Sequence, residues 1–446
     1  MTEYIAPNSN RWRARFWKSR ITENVAALLG TQIAAYIFPL ATVPYLARVL
    51  GPLHWGIVAF AQALGLYLAM VVDFGFQLSA SRRIARIRDD GEQVAQVVAG
   101  VLGAKAFLAI VCISGVFLLQ GLSRSFQQDS LILWGGALSG ISQGFSMLWY
   151  YQGFEKMRTP AVADVAGKAV ACIGIFLLVR RPGDAWLVLA LQCICYTCSA
   201  GFQLAMTYRQ VRFQWPTLKG SRRAMRDSAA MFLFRSSVSL YTTANALILG
   251  AISTPIAVGF YSGAERLIKA LASLITPVSQ SLYPRISRLV VTDTRQAIWL
   301  TKVSLGVMTL GGALLGAFAA VAAPLIIRVL LGPGYEHAIP VLRILALLLP
   351  AIAVSTVLGI QWMLPLGMDG VYNAIVISAG LVNVVLALCW ATRWQQIGMA
   401  WAVVATEYLV TTAICVVLAR RKMTPLSNSE SLAPRLQKEF ATACAR

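Results

Sequence analysis

Ten ionisable side chains inside long apolar runs are the candidates for chemistry: Asp73, Lys105, Asp164, Lys168, Arg235, Glu265, Arg266, Lys269, Arg343 and Glu407. A charge at that depth costs about 2.5–3.5 kcal/mol on insertion scales, so each needs a partner or a wet cavity. Bases outnumber acids six to four, a surplus that suits an anionic cargo. Arginine in particular grips phosphate oxygens in bidentate fashion. Asp164 and Lys168 are spaced i, i+4 with the acid first, so they can neutralise each other on one helix face. Arg266 and Lys269, at i, i+3, are expected to share a face, with Glu265 screening one of them. Asp73, Arg343 and Glu407 lie toward the ends of apolar runs, where snorkelling or a bundle-interface pair is an alternative reading. Lys105 can extend toward either. This reading makes Arg235, Arg266 and Lys269, with Lys105 and Arg343, the substrate-binding cations. Asp73, Glu265, Glu407, Asp164 and Lys168 are the candidates for ion coupling or gating.

No catalytic constellation accompanies them. The two histidines, His54 and His337, are far apart, and there is no phosphate-binding glycine loop and no HExxH pattern. Of the eight cysteines, Cys193, Cys195 and Cys198 are close in sequence. Cys193 and Cys195 nevertheless fall on opposite helix faces and no histidine is near, so they read as packing residues. Neither a metal nor a cofactor is expected, and the work done is movement.

The elements that hold these charges are set by composition. Of 446 residues 58% are hydrophobic and 13% charged, with mean hydropathy +0.66. A soluble chain of this length needs more polar surface. The apolar residues come in blocks of about 20, enough to span roughly 30 Å of hydrocarbon as a helix. Twelve blocks are expected, near 24–47, 53–78, 94–119, 130–150, 161–180, 185–208, 229–252, 256–281, 297–322, 338–363, 370–392 and 397–419. The fold class is therefore an all-α polytopic membrane protein. The first block is read as a retained span rather than a cleaved leader. Pro39 and Pro44 in the first block and Pro277 in the eighth are candidate kink positions.

The net charge of +21 follows from orientation rather than nucleic-acid binding. Arg11, Arg13, Arg15, Lys18 and Arg20 precede the first block, and Arg82, Arg83, Arg86 and Arg88 follow the second. Further clusters stand at Lys156 and Arg158, from Arg209 to Arg226, at Arg285, Arg288 and Arg295, and in the tail from Arg420 to Arg446. The alternate loops carry only Arg48, Arg124, Arg180, Arg181, Arg328 and Arg393. The asymmetry predicts that both termini are cytoplasmic. Trp12, Phe16 and Trp17 among the first bases suit an anchor at the lipid surface.

The longest polar interruption, 208–227, divides the blocks six and six. A shift of 203 residues aligns Pro52 with Pro255, Gly56 with Gly259, Ala61 with Ala264 and Leu64 with Leu267; Leu68, Ala69, Arg82 and Asp90 also find identical partners. An even number of spans per half makes this a parallel repeat, with two bundles about a central cleft. The predicted organisation is a basic N-terminus (1–23), a six-helix lobe (24–208), a cytoplasmic linker (209–228), a second lobe (229–420) and a cytoplasmic tail (421–446).

Three stretches, "NVAALLGTQIAAYIFPLATVPYLARVLGPLHWGIVAFAQAL" (24–64), "DFGFQLSASRRIARIRDD" (73–90) and "WYYQGFEKMRTPAVADVAGKAV" (149–170), resemble the Wzx-type O-antigen and exopolysaccharide flippases. These belong to the polysaccharide biosynthesis branch of the multidrug/oligosaccharidyl-lipid/polysaccharide exporter superfamily. "LLGPGYEHAIPVLRILAL" (330–347) extends the likeness more loosely. The resemblance implies twelve helices in two six-helix lobes forming a V. It also implies transport of undecaprenyl-diphosphate-linked oligosaccharide across the bacterial inner membrane through a cationic lumen, with Asp73 at the cytoplasmic rim. Its implied partners are that lipid-linked glycan, membrane lipids, and the polymerase and chain-length proteins of the same pathway; nucleic acid is not among them. No family motif assigns Arg235, Arg266 or Lys269 individually. Other readings are a multidrug/cation antiporter of the same superfamily, which wants acidic lumen residues, and a membrane polymerase or ligase, which wants a large outer loop. A major-facilitator carrier would want an Asp where Ser79 stands.

Overall fold

The computed structural model describes residues 9–122 and 129–426, without the side chains of 9–37, 39, 122, 234, 237, 240 and 241. The expected anchor side chains of 11–20, Arg124, and the tail basics Arg435, Lys438 and Arg446 lie outside the described residues. Backbone N–H and C=O groups in hydrocarbon find no water, so a spanning chain must satisfy them internally as helix. The described residues accordingly contain no strand.

Chain order is α1 (Ser9–Asp73), α2 (Phe76–Ile87), α3 (Gly91–Leu122), α4 (Ser130–Gly144), α5 (Leu148–Gly153), α6 (Arg158–Leu178), a 3-10 turn (Pro182–Asp184) and α7 (Ala185–Tyr208). There follow α8 (Leu218–Thr242), α9 (Asn245–Ile252), α10 (Pro255–Ala272), α11 (Ile275–Thr292), α12 (Thr294–Val321), α13 (Ala323–Leu330), α14 (Ala338–Ala346), α15 (Leu348–Ser355), a π-helical stretch (Thr356–Met363) and α16 (Asp369–Arg420).

Eight stretches among the described residues are long and apolar enough to cross a membrane, and two of them run to 48 and 52 residues. The longer, α16, leaves helical geometry at Gln395 (φ 47°, ψ −124°), between the expected spans 370–392 and 397–419. Similarly, α1 breaks at Gly51 (φ 69°, ψ 172°), a conformation glycine adopts without Cβ strain. That break falls between the expected spans 24–47 and 53–78. The regions 229–252 and 256–281 are not among the eight. Each was expected as one helix and is instead two, interrupted at Thr243–Ala244 and at Ser273–Leu274. Pro277 lies in the first turn of α11, just beyond the second interruption.

The solvent of these helices is legible in α12. Val303, Val307, Leu310, Leu314, Phe318 and Val321 recur at helical spacing and are exposed, while Thr301, Ser304, Met308, Gly312, Gly316 and Ala319 are buried. Large apolar side chains outside and small ones inside is the pattern of a helix in lipid, where small residues let backbones approach. The chain is a multi-pass helical membrane protein.

Its residues fall into two compact units. One takes the chain up to Thr42, Leu64–Arg180 and Trp186–Phe232; the other takes Val43–Ala63, Arg181–Ala185 and the chain from Leu233. In the first unit α2 lies on α5. Phe76, Ile84, Trp149, Tyr150 and Tyr151 are buried there, and Gly153 lets the Ile84 side chain approach its backbone. In the same unit a Cβ on Gly140 would collide with the Gly65 carbonyl, so α1 and α4 cross at backbone contact. The second unit joins residues 43–63 to α10, again through glycine.

Candidate functional site

In the first unit the segment Asp73–Phe76 is a corner. Phe74 (φ 43°) and Gly75 (φ 75°) both take left-handed geometry, which turns the chain from α1 into α2. The Phe74 ring stacks on Phe232 at 4.3 Å, Phe76 is buried, and a Cβ on Gly75 would crowd the backbone of Met231 and Phe232. Asp73 closes α1 with Oδ1 3.7 Å from Lys105 Nζ. Lys105, completely buried, donates to the carbonyls of Gly144 at 2.7 Å and Ser146 at 3.0 Å. Those carbonyls lie where α4 ends, at the interruption 145–147, and a broken helix in hydrocarbon leaves acceptors that need a donor. Lys105 supplies it, and Asp73 offsets the buried charge.

The second unit repeats this device with other residues. Lys269 Nζ donates to the carbonyl of Thr242 at 3.1 Å, the last residue of α8, and sits 3.0 Å from Glu265 Oε1. Tyr261 donates its hydroxyl to the same carboxylate oxygen at 3.3 Å. Unlike Lys105, Lys269 keeps 51% of its side chain exposed, against 14% for Glu265. Both line a cavity of about 130 Å³ with Thr242, Asn245, Tyr261 and Glu407 among its polar walls. Glu407 reaches it from α16, and its Oε1 accepts from Ser355 Oγ at 2.7 Å. The cavity therefore brings together three of the expected residues: Glu265, Lys269 and Glu407.

Arg266 goes elsewhere. Its Nη2 donates to Gln62 Oε1, and its guanidinium lies 4.7 Å from the Trp55 ring centroid, a cation–π geometry. Arg266 and Lys269 stand at i, i+3 on α10, as expected, but their head groups have different partners. Their head groups diverge because 43–63 supplies arginine's aromatic and amide partners, while the end of α8 supplies lysine's carbonyl. Arg235 is partly buried on α8. Arg343 is exposed on α14 and donates Nε to the Ala320 carbonyl at 3.3 Å. Asp164 and Lys168 form their i, i+4 pair at 2.8 Å.

The sequence reading missed Gln62, Trp55, Thr242, Tyr261 and Ser355. Trp55 and Gln62 stand about 200 residues from Arg266 and carry no charge to draw attention. The identities at a shift of 203 residues, Ala61 with Ala264 and Leu64 with Leu267, mark the two segments as alike but carry no signal that they touch.

The polysaccharide biosynthesis protein family matches residues 21–290. A protein of Escherichia coli (strain K12) named "Putative O-antigen transporter" is 30% identical over 408 residues, covering 91% of this chain and 98% of that one. Among solved structures, the lipid II flippase MurJ in an inward closed conformation superposes with TM-score 0.69 at 13% identity, covering 92% of this chain and 90% of the other. An inward-facing multidrug resistance transporter of the MATE family and MOP superfamily gives TM-score 0.59 at 15% identity, over 94% and 96%. These two establish the fold alone. With more than half of its length matched, and a curated relative aligned nearly end to end, this chain belongs to the polysaccharide biosynthesis protein family and is a transporter rather than an enzyme.

Proposed function

We propose that this chain flips a lipid-linked oligosaccharide, an undecaprenyl-diphosphate-linked repeat unit for O-antigen or exopolysaccharide, across the bacterial inner membrane. The observation that carries this reading is the 30% identity over 91% of the chain to a protein named as an O-antigen transporter. Twelve spans, in lobes 24–208 and 229–420 with both termini cytoplasmic, form its framework. The head enters a polar cleft while the prenyl tail stays in lipid, and rocking of the lobes exposes the head outside. Arg235, Arg266 and Lys269 replace lost phosphate hydration. Lys105 is left out of this set because its side chain is completely buried, whereas Lys269 keeps 51% of its own exposed beside a cavity; Arg343, exposed on α14, remains a candidate of the set.

A head group carrying about two negative charges gains at most about 4.6 kcal/mol per 100 mV on moving out of a cytoplasm-negative membrane. Voltage alone can therefore drive export, and an H⁺ or Na⁺ coupled through Glu265, Glu407 or Asp73 is optional. Membrane lipids, and the polymerase and chain-length proteins of the pathway, are the proposed partners.

The test is complementation of a flippase-deficient strain by a chain carrying Arg266→Gln and Lys269→Gln. Loss of surface polysaccharide with normal membrane insertion is expected. Full complementation would refute the cationic-lumen mechanism. A second reading, a cation antiporter, draws on the cavity in which two carboxylates, Glu265 and Glu407, outnumber one ammonium. Efflux of a cationic dye dependent on Glu407 would favour it.

A further inference from the structure

The first unit holds a second cavity, of about 420 Å³, that shares no residue with the Glu265–Lys269–Glu407 cavity. Arg82, Arg83 and Arg86 of α2 and Arg223 of α8 line it, with Asp227 as the one carboxylate in its wall. Arg83 Nη1 lies 3.4 Å from Asp227 Oδ2, so one charge of each sign is matched. Arg82, Arg86 and Arg223 form no ion pair among the described residues. A requirement for basic loops on one side of the membrane explains charge near a span end, but not charge gathered into a concavity. Arg88, Arg222 and Arg226 meet that requirement equally well and do not line the cavity.

The cavity is also built from packed, bonded parts. Ser79 and Ser228, the latter buried, are hydrogen-bonded through their hydroxyls and tie α2 to α8. Phe76, Ala80, Val97 and Val101, all buried, form the floor. A Cβ on Gly100 would sit 3.1 Å from the Gly220 carbonyl oxygen, and one on Gly103 2.5 Å from Ser221 Oγ. Those two glycines of α3 let the first turn of α8 close the wall. The volume holds on the order of a dozen water-sized groups, enough for a diphosphate and its remaining hydration.

We infer that this cavity is a receptor for a phosphate group, separate from the lumen cations; only its cargo alternative rests on the flippase reading. The planar forks of Arg82, Arg86 and Arg223 converge on one volume, which suits bidentate contact with phosphate oxygens. The Arg83–Asp227 pair sets the ceiling on its affinity by holding one guanidinium and placing one carboxylate at the site. Two sources carry the same chemistry: the head group of an anionic phospholipid in the adjoining leaflet, and the diphosphate of a lipid-linked cargo.

The test uses the full chain purified in detergent, titrated with inorganic diphosphate by microscale thermophoresis. Saturable binding is expected, weakened about tenfold or more by combined Arg82→Gln, Arg86→Gln and Arg223→Gln. The same charge change made at Arg88, Arg222 and Arg226 should alter it by no more than about twofold. Asp227→Asn should tighten binding, a gain that misfolding cannot produce. A second arm counts phosphatidylglycerol retained by the protein in native mass spectrometry. Retention that diphosphate displaces identifies the bilayer lipid as the resident ligand. Diphosphate binding without retention identifies the cargo head group. Binding of neither probe, equal loss in the two triple variants, or no tightening by Asp227→Asn would overturn the inference.

Discussion

Gly56 and Gly259 meet reciprocally. The carbonyl oxygen of Pro255 occupies the space a Cβ on Gly56 would need, and the carbonyl oxygen of Pro52 crowds that of Gly259. The four residues are the pairs that a shift of 203 residues aligns. Glycine is required at both positions, because only a residue without a side chain fits between two backbones this close.

Gly56→Ala and Gly259→Ala are each expected to destabilise the protein by about 1–3 kcal/mol through overpacking. Gly306→Ala and Gly311→Ala, on α12 with open space around them, should leave the thermal midpoint unchanged or slightly raised. Thermal unfolding of the four purified variants in one detergent reads this directly. Equal midpoints across all four would contradict the contact.

Lys105→Met removes the donor from the Gly144 and Ser146 carbonyls and the cation 3.7 Å from Asp73. A loss of about 3–5 kcal/mol is expected. Adding Asp73→Asn to Lys105→Met should restore part of it, because an amide does not need the cation. The coupling in a double-mutant cycle of unfolding midpoints measures the pair; additive losses would show that Asp73 and Lys105 act independently.

Arg266→Lys keeps the charge but loses the flat guanidinium that lies on Trp55 and the fork that reaches Gln62. Trp55→Leu removes the same support from the other side. Each should lower export several-fold, about 1 kcal/mol for one cation–π contact, and the two together should cost little more than either alone. Surface polysaccharide in a complemented strain is the readout. Strictly additive effects would place Trp55 outside the support of Arg266.

Asp90 stands just before α3 and accepts from the backbone N–H of Gln93 at 3.0 Å, the side-chain amide of Gln93 at 2.8 Å and the backbone N–H of Glu92 at 3.1 Å. The Gln93 backbone contact first, then its side chain, holds this carboxyl below the ordinary carboxylate range. A carboxylate depressed in the folded state stabilises it above the unfolded-chain pKa and loses that contribution as pH falls through the folded value. Amide exchange at Glu92 and Gln93 should therefore lose protection on acidification. Asp90→Ala should show low protection at every pH; persistence of the pH dependence in that variant would contradict the cap.

Much of this was legible in sequence for identifiable reasons. The apolar blocks and the basic loops announce a membrane protein. The aromatic residues of the DFGF and WYYQGF stretches pack into one buried cluster around α2 and α5. The role of Lys105 was not legible. Its partners are backbone carbonyls exposed by a helix interruption at 145–147, where hydropathy alone predicts an unbroken span. Lys269 hides in the same way behind the interruption after Thr242. Backbone acceptors carry no residue-type signature, so sequence shows the cation and not what it caps. Arg82, Arg86 and Arg223 show the converse: their charge is obvious, and their convergence depends on α8 returning to α2 from some 140 residues away.

The central claim is that this chain carries a lipid-linked diphosphate head group outward across the bilayer. The most direct measurement reconstitutes it in proteoliposomes with undecaprenyl-diphosphate-linked oligosaccharide and follows the sugar's accessibility on the receiving leaflet, with and without an imposed voltage. The account predicts protein-dependent transfer that accelerates when the donor side is negative, and near-complete loss of transfer with Arg266→Gln and Lys269→Gln. Accessibility that rises no faster than in protein-free liposomes, at either voltage, would contradict it.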